Sequence, residues 1–268
     1  MACGRSALIV QTALFVGLCV EPAAAKECGD RVGSARVACA CGDTVISDTI
    51  LQPGDPVVSG RCHSGGLVVR APELAETLRL DLNGLSLIGS GVGDGITVES
   101  GGSDGAVIVG GTKDRRGEVV GFGTGINVRV ARAARRIEAL NLEGQRHEGM
   151  MLRMAGAMVF DVKAEKNGGD GIRVYGQGGR LLGIESRSNH GTGIRLVSRY
   201  TIVAARVEDN RVHGMIVRGS RNDLRGSSAS NNRGYGIVLG GQRQQTEGVV
   251  TEGNSVGTIG SGERRRRP

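Results

Sequence analysis

The sequence predicts an all-β fold: a single-stranded right-handed parallel β-helix (solenoid) of roughly 8–9 rungs of about 22 residues, with a disulfide-stapled N-terminal cap. Three observations predict it. A glycine-aliphatic-x-aliphatic signature recurs at a near-constant step, an asparagine recurs four residues ahead of it, and too few aromatic residues are present to build a conventional core.

The signature stands at Gly95, Gly125, Gly149, Gly171, Gly193, Gly214 and Gly236, as in Gly193-Ile194-Arg195-Leu196, so the steps are 30, 24, 22, 22, 21 and 22. The long first step holds an insertion, 110–117, which reads as a loop. Alternating aliphatic residues have the period of a strand, not of a helix. Strands are therefore expected at 126–128, 150–152, 172–174, 194–196 and 215–217, stacked in register. Short strands of this kind bury their apolar face only by stacking on the next rung. A leucine-rich repeat would need recurring leucines and a helical segment, and a nine-residue calcium-binding repeat has the wrong period.

Asn167, Asn189, Asn210 and Asn232 each stand four residues before a signature glycine, and Asn254 continues the row. Rungs stacked at ~4.8 Å put residues of one phase into a ladder, along which amide side chains hydrogen-bond. Asparagine also suits a turn, because its side chain bonds locally and it tolerates left-handed backbone. Glycine accounts for 47 of the 268 residues, Trp is absent, and there are three Phe and three Tyr, so small and β-branched residues must do the packing.

Residues 1–25 read as a secretory signal peptide. Arg5 supplies the positive start, 7–20 an apolar stretch, and Ala23-Ala24-Ala25 a small-residue cleavage site. An uncleaved membrane anchor is the alternative, but the stretch is short of the ~20 residues that span a bilayer. No later segment is apolar enough to span a membrane, so a secreted or periplasmic location is expected. Residues 26–65 form the expected cap, 66–260 the β-helix and 261–268 a basic disordered tail. Cys28, Cys39, Cys41 and Cys62 all fall in the cap. In an oxidising compartment four cysteines suggest two disulfides, with three possible pairings. Cys28–Cys39 with Cys41–Cys62 is preferred, because strand alternation puts Cys39 and Cys41 on one face and makes their mutual pairing poor.

The run Cys39-Ala40-Cys41-Gly42-Asp43-Thr44-Val45, then Cys62, then Leu80-Asp81-Leu82-Asn83-Gly84, followed by the Asn-x-x-x-Gly-Ile repeats, resembles bacterial right-handed β-helix proteins of the pectin-lyase-like superfamily. The resemblance covers nearly the whole chain after the signal. It implies the fold and leaves the chemistry open, since members include polysaccharide lyases, polygalacturonases, uronan epimerases, phage tailspikes and proteins of copper-site maturation.

Candidate functional residues follow from phase. Six residues before the glycines stand Glu143, Glu165, Arg187 and Glu208 on successive rungs, with Glu252 two rungs later. Alternate rungs lie ~9.6 Å apart, so Glu165 and Glu208 fall near the carboxylate separation of an inverting glycosidase. The plainer reading is that Arg187 neutralises its glutamate neighbours. The Gly-His-Gly segment and clustered aspartates of a superfamily hydrolase are missing, Asn189-His190-Gly191 standing instead. His147, His190 and His213 occupy different phases and read as turn residues.

A second stripe is basic. Arg173 and Arg195 stand two residues after the glycine, and Arg129, Arg153 and Arg218 four after it. Both phases alternate with the buried aliphatics, so all five are expected to face out along one sheet; Arg153, Arg173, Arg195 and Arg218 are the expected ligand-binding residues. Guanidinium groups bind carboxylates bidentately, which suits an acidic polysaccharide. The net charge of +7 falls to +3 without the four arginines at 264–267. Nucleic-acid binding would need basic residues interleaved with aromatics, which are missing. No cofactor or metal site is evident, since the cysteine spacing does not follow that of zinc loops.

Two functions from different classes compete. One is an exported protein that binds an acidic polysaccharide, and as an enzyme would cleave or epimerise it. The other is a non-enzymatic envelope scaffold or adhesion module, its partner an anionic envelope surface.

Overall fold

The computed structural model describes residues 25–72, 75 and 77–261. The expected signal, all but its last residue, and the arginine tail lie outside the described residues. The chain winds into a right-handed parallel β-solenoid of about nine turns, as expected. One helix, Pro56–Ser59, interrupts it among the described residues.

Two sheets run the length of the coil, one of 12 strands and one of 14. In the first, Thr124–Val128, Met150–Ala155, Ile172–Gln177, Ile194–Arg199, Met215–Ser220 and Tyr235–Leu239 follow one another, each parallel to the next. The register is strict: Ile126, Met150, Ile172, Ile194 and Met215 pair in sequence. The second sheet holds long strands such as Met158–Glu165, Arg180–Arg187 and Ile202–Glu208. The insertion expected at 110–117 is a loop over 110–116, between Ala106–Val109 and Gly117–Val120, so Gly117 already belongs to the next strand.

The signature aliphatics fill the core. Ile126, Val128, Ile172, Val174, Ile194 and Leu196 are fully buried, facing Val159, Val162, Leu181 and Val203 of the second sheet. The glycines are required by crowding. A Cβ on Gly193 would lie 2.7 Å from both the Gly214 carbonyl oxygen and Asn210 Nδ2, closer than any real Cβ contact.

Those amide nitrogens belong to a buried ladder. Asn167, Asn189, Asn210 and Asn232 are fully buried, and each donates its Nδ2 to Oδ1 of the next at 2.9–3.0 Å. Each Oδ1 also accepts the backbone N–H of the preceding asparagine, as Asn189 Oδ1 does from Asn167 N at 3.0 Å. The residues just ahead, Lys166, Ser188, Asp209 and Asn231, sit at φ 53–55°, so the ladder stabilises a left-handed corner. Gln145 starts the row, its backbone N–H donating to Asn167 Oδ1 at 3.0 Å.

The cysteine segment coils with the rest. Glu27–Val32 lies parallel to Thr44–Val45, and that strand to Leu67–Arg70. Cys28 bonds Cys39 and Cys41 bonds Cys62, the preferred pairing. The buried Asp55 carboxylate accepts two hydrogen bonds from Arg36, at 2.9 and 2.7 Å, and one from the Gln52 N–H at 2.7 Å.

Candidate binding face

The outward residues of the first sheet stand in two columns. One runs Asn127, Met151, Arg173 and Arg195 and ends on the buried Ile216; the other runs Arg153, Tyr175, Val197 and Arg218, which pair in that order. Strand alternation places both columns outside, and the register brings the four expected arginines onto one sheet.

Their surroundings differ. Arg173 and Arg195 are half-buried and folded onto the chain's own carboxylates. Arg195 Nε lies 2.6 Å from Asp170 Oδ2, while Arg173 contacts the same oxygen at 3.0 Å and Glu148 Oε1 at 3.0 Å. Asp170 is 2 % exposed, and its Oδ1 accepts the Thr192 N–H at 2.8 Å. Burial pushes this carboxyl up, but the hydrogen bonds from Arg195 and Thr192 and the charges of both arginines outweigh it and hold it below its ordinary value. Two cations and two anions thus form a closed network. Arg129 is likewise spent, on Asp94 and Glu99.

Arg153 and Arg218 remain exposed, with no carboxylate in ion-pair range among the described residues. Between them stand Tyr175, 40 % exposed, and Val197. Tyr175 is the residue that sequence reasoning missed on this face, although it occupies the same phase as Arg153 and Arg218. Beside the face, His213 lies in the Asp170 column, its ring stacked on Tyr235 with centroids 5.9 Å apart and its Nδ1 accepting the Tyr235 N–H. Burial, then the charge of Arg195, lowers its pKa.

Glu143, Glu165, Arg187 and Glu208 share one column on the outer surface of the second sheet. Arg187 grips Glu165 through Nε at 2.8 Å and a terminal nitrogen at 3.0 Å. Glu208 pairs with Arg206, and Glu143 with Lys166. The carboxylate oxygens are thus engaged by cations of the same surface. Among the described residues no three His, Cys, Asp or Glu side chains converge as metal ligands.

A family model described as the right-handed β-helix region matches residues 124–262. The chain belongs to the right-handed β-helix family. No curated protein matches the chain. Two solved structures resemble this right-handed β-helix protein. The A-module of mannuronan C-5 epimerase AlgE4 from Azotobacter vinelandii aligns at TM-score 0.44 and 13% identity, over 77% of this chain and 67% of that one. The A-module of AlgE6 from the same organism aligns at TM-score 0.37 and 12% identity, over 78% and 71%. Among the described residues no helix is long and apolar enough to cross a membrane.

Proposed function

We propose that this β-helix protein is exported and binds an acidic polysaccharide along the outer face of Met150–Ala155, Ile172–Gln177, Ile194–Arg199 and Met215–Ser220. The observation that carries the reading is the column Arg153–Tyr175–Val197–Arg218, an exposed ring and an aliphatic patch between two arginines without carboxylate partners. A pyranose presents an apolar face that packs on Tyr175, while guanidiniums take up the carboxylates of neighbouring sugars. Three rungs separate Arg153 from Arg218, ~14 Å at strand spacing, so one short oligouronate reaches both. The closed network of Glu148, Arg173, Asp170 and Arg195 holds the column beside it in place. Two disulfides support an oxidising compartment, secreted or periplasmic.

The reading is of binding without turnover, supported by the engagement of Glu165 and Glu208 with Arg187 and Arg206. The test is titration of an oligouronate at low and physiological salt. The native protein binds, more weakly as salt screens the exposed charges. Arg153→Gln with Arg218→Gln raises Kd about tenfold or more, equivalent to about 1.4 kcal/mol. An affinity unchanged in that variant, or a native protein that binds no polyuronate at low salt, removes the reading.

An envelope scaffold is the second reading, favoured by one observation on the opposite sheet. There Phe160, 44 % exposed, pairs with the outward Leu182, beside a column in which Arg180 separates Met158 from Ile202. Loss of partner capture in Phe160→Ser with polyuronate binding absent would favour it.

A further inference from the structure

A second site lies at the corner where the chain passes from the first sheet to the second. The corner residue is left-handed on every late turn: Gly156, Gly178, Tyr200, Arg221 and Arg243 have φ of 84, 62, 57, 56 and 55°. Glycine meets this conformation without strain, whereas bulky side chains rarely adopt it. Two turns use glycine and the next three carry Tyr, Arg and Arg.

The three side chains line one pocket of about 370 Å³, walled by Ile202 and Gln245. The Arg221 guanidinium lies 5.3 Å from the centre of the Tyr200 ring and donates to the Tyr200 hydroxyl. That hydroxyl, used as an acceptor, keeps its own proton for a ligand. Arg221 and Arg243 stand on successive rungs, the Arg221 N–H donating to the Gln242 carbonyl at 3.0 Å. Their backbones are therefore about 5 Å apart. Elsewhere a strand arginine pairs with a carboxylate two residues away, as Arg79 does with Asp81 and Arg136 with Glu138. Asp223, at the pocket wall, is already held by Arg225 at 2.6 Å. No carboxylate answers Arg221 or Arg243 among the described residues.

The corner is also braced from within. Asn222 is fully buried; its Oδ1 accepts the Thr201 N–H at 3.1 Å, and its own N–H donates to Gln244 Oε1 at 3.1 Å. This second amide ladder follows Tyr200, Arg221 and Arg243 by one residue each. A site whose backbone is fixed beforehand spends less binding energy on ordering.

We propose that Tyr200, Arg221 and Arg243 form a site for a tetrahedral oxyanion with three free oxygens, the sulfate or phosphate ester of a ligand. Three donors on three rungs match the three free oxygens of such an ester, and a carboxylate offers one oxygen fewer. The site is separate from the Tyr175 face and stands whether or not that face binds polyuronate.

The test is calorimetric titration of the full chain with inorganic sulfate, inorganic phosphate and glucuronate at low salt. Sulfate or phosphate binds, the tighter of the two naming the ester, and glucuronate binds at least about tenfold more weakly. Arg221→Gln with Arg243→Gln raises Kd about tenfold or more. Arg221→Gly with Arg243→Gly supplies the residue used at positions 156 and 178, so it retains or raises the melting temperature while losing the anion. Neither anion binding the native protein, binding that survives the glycine variant, or glucuronate binding as tightly would each overturn the proposal.

Discussion

Replacing Asn189 with leucine removes the middle of the buried ladder. In the native coil Asn189 Oδ1 accepts from Asn167 N at 3.0 Å and Asn167 Nδ2 at 2.9 Å, and its Nδ2 donates to Ala164 O and Asn210 Oδ1, both at 3.0 Å. Leucine leaves the Asn167 N–H without its acceptor, which costs about 2 kcal/mol for a buried amide. The other three bonds add about 1 kcal/mol each. Burying the apolar leucine returns about 2 kcal/mol, so the net loss is about 3 kcal/mol. For a chain of this size that is a fall of about 6–12 °C in melting temperature. Asn254→Leu is the internal comparison. Its Oδ1 accepts the same pair of bonds from Asn232, but the residue is partly exposed and water replaces what is lost, so the cost is about 1 kcal/mol. Urea unfolding followed by circular dichroism reads both. Equal losses in the two variants, or a loss under about 1 kcal/mol for Asn189→Leu, would refute the ladder as a source of stability.

Gly193→Ala places a methyl 2.7 Å from the Gly214 carbonyl oxygen, and overpacking of this kind lowers stability by about 1–3 kcal/mol in the same urea assay. Gly144→Ala, where a Cβ meets nothing within 4 Å, pays only for its left-handed φ of 67° and should lose less. Acid titration of stability probes Asp170. Its pKa is lowered on folding, so its contribution is complete above the unfolded value of about 3.9 and is lost as pH falls through the lower folded value. Asp170→Asn should flatten that acid limb below about pH 4, and an unchanged limb would exclude the carboxylate as its source. Removing the Cys28–Cys39 disulfide, with 11 residues of separation, by paired serine substitution should cost about 3 kcal/mol, read by thermal unfolding.

The coil was legible because stacking repeats one environment every 22 residues or so, and crowding at Gly193 and amide bonding at Asn189 admit one residue type each. Repetition of type is what a sequence displays. The second ladder was not legible for the same reason: Asn222 and Gln244 do one job with two residue types, each side-chain oxygen accepting the backbone N–H one rung back. The basic stripe was legible in its register and not in its charge state. Alternation places Arg173 and Arg195 outside, but Asp170, one residue ahead of Gly171, belongs to a turn, and no strand periodicity reports that its carboxylate reaches both guanidiniums. Tyr175 was within reach of phase reasoning, standing four residues after Gly171. Counting the aromatics as scarce hid where this one falls.

The central claim is that an acidic glycan lies over Tyr175, and hydroxyl-radical footprinting with and without an oligouronate tests it most directly. Tyr175 and Phe160, 40 % and 44 % exposed, stand on opposite sheets and report the two faces independently. The account predicts that saturating oligouronate protects Tyr175 and leaves Phe160 as reactive as in the free protein. Protection of Phe160 with Tyr175 unchanged, or protection of neither while the glycan is bound, would contradict it.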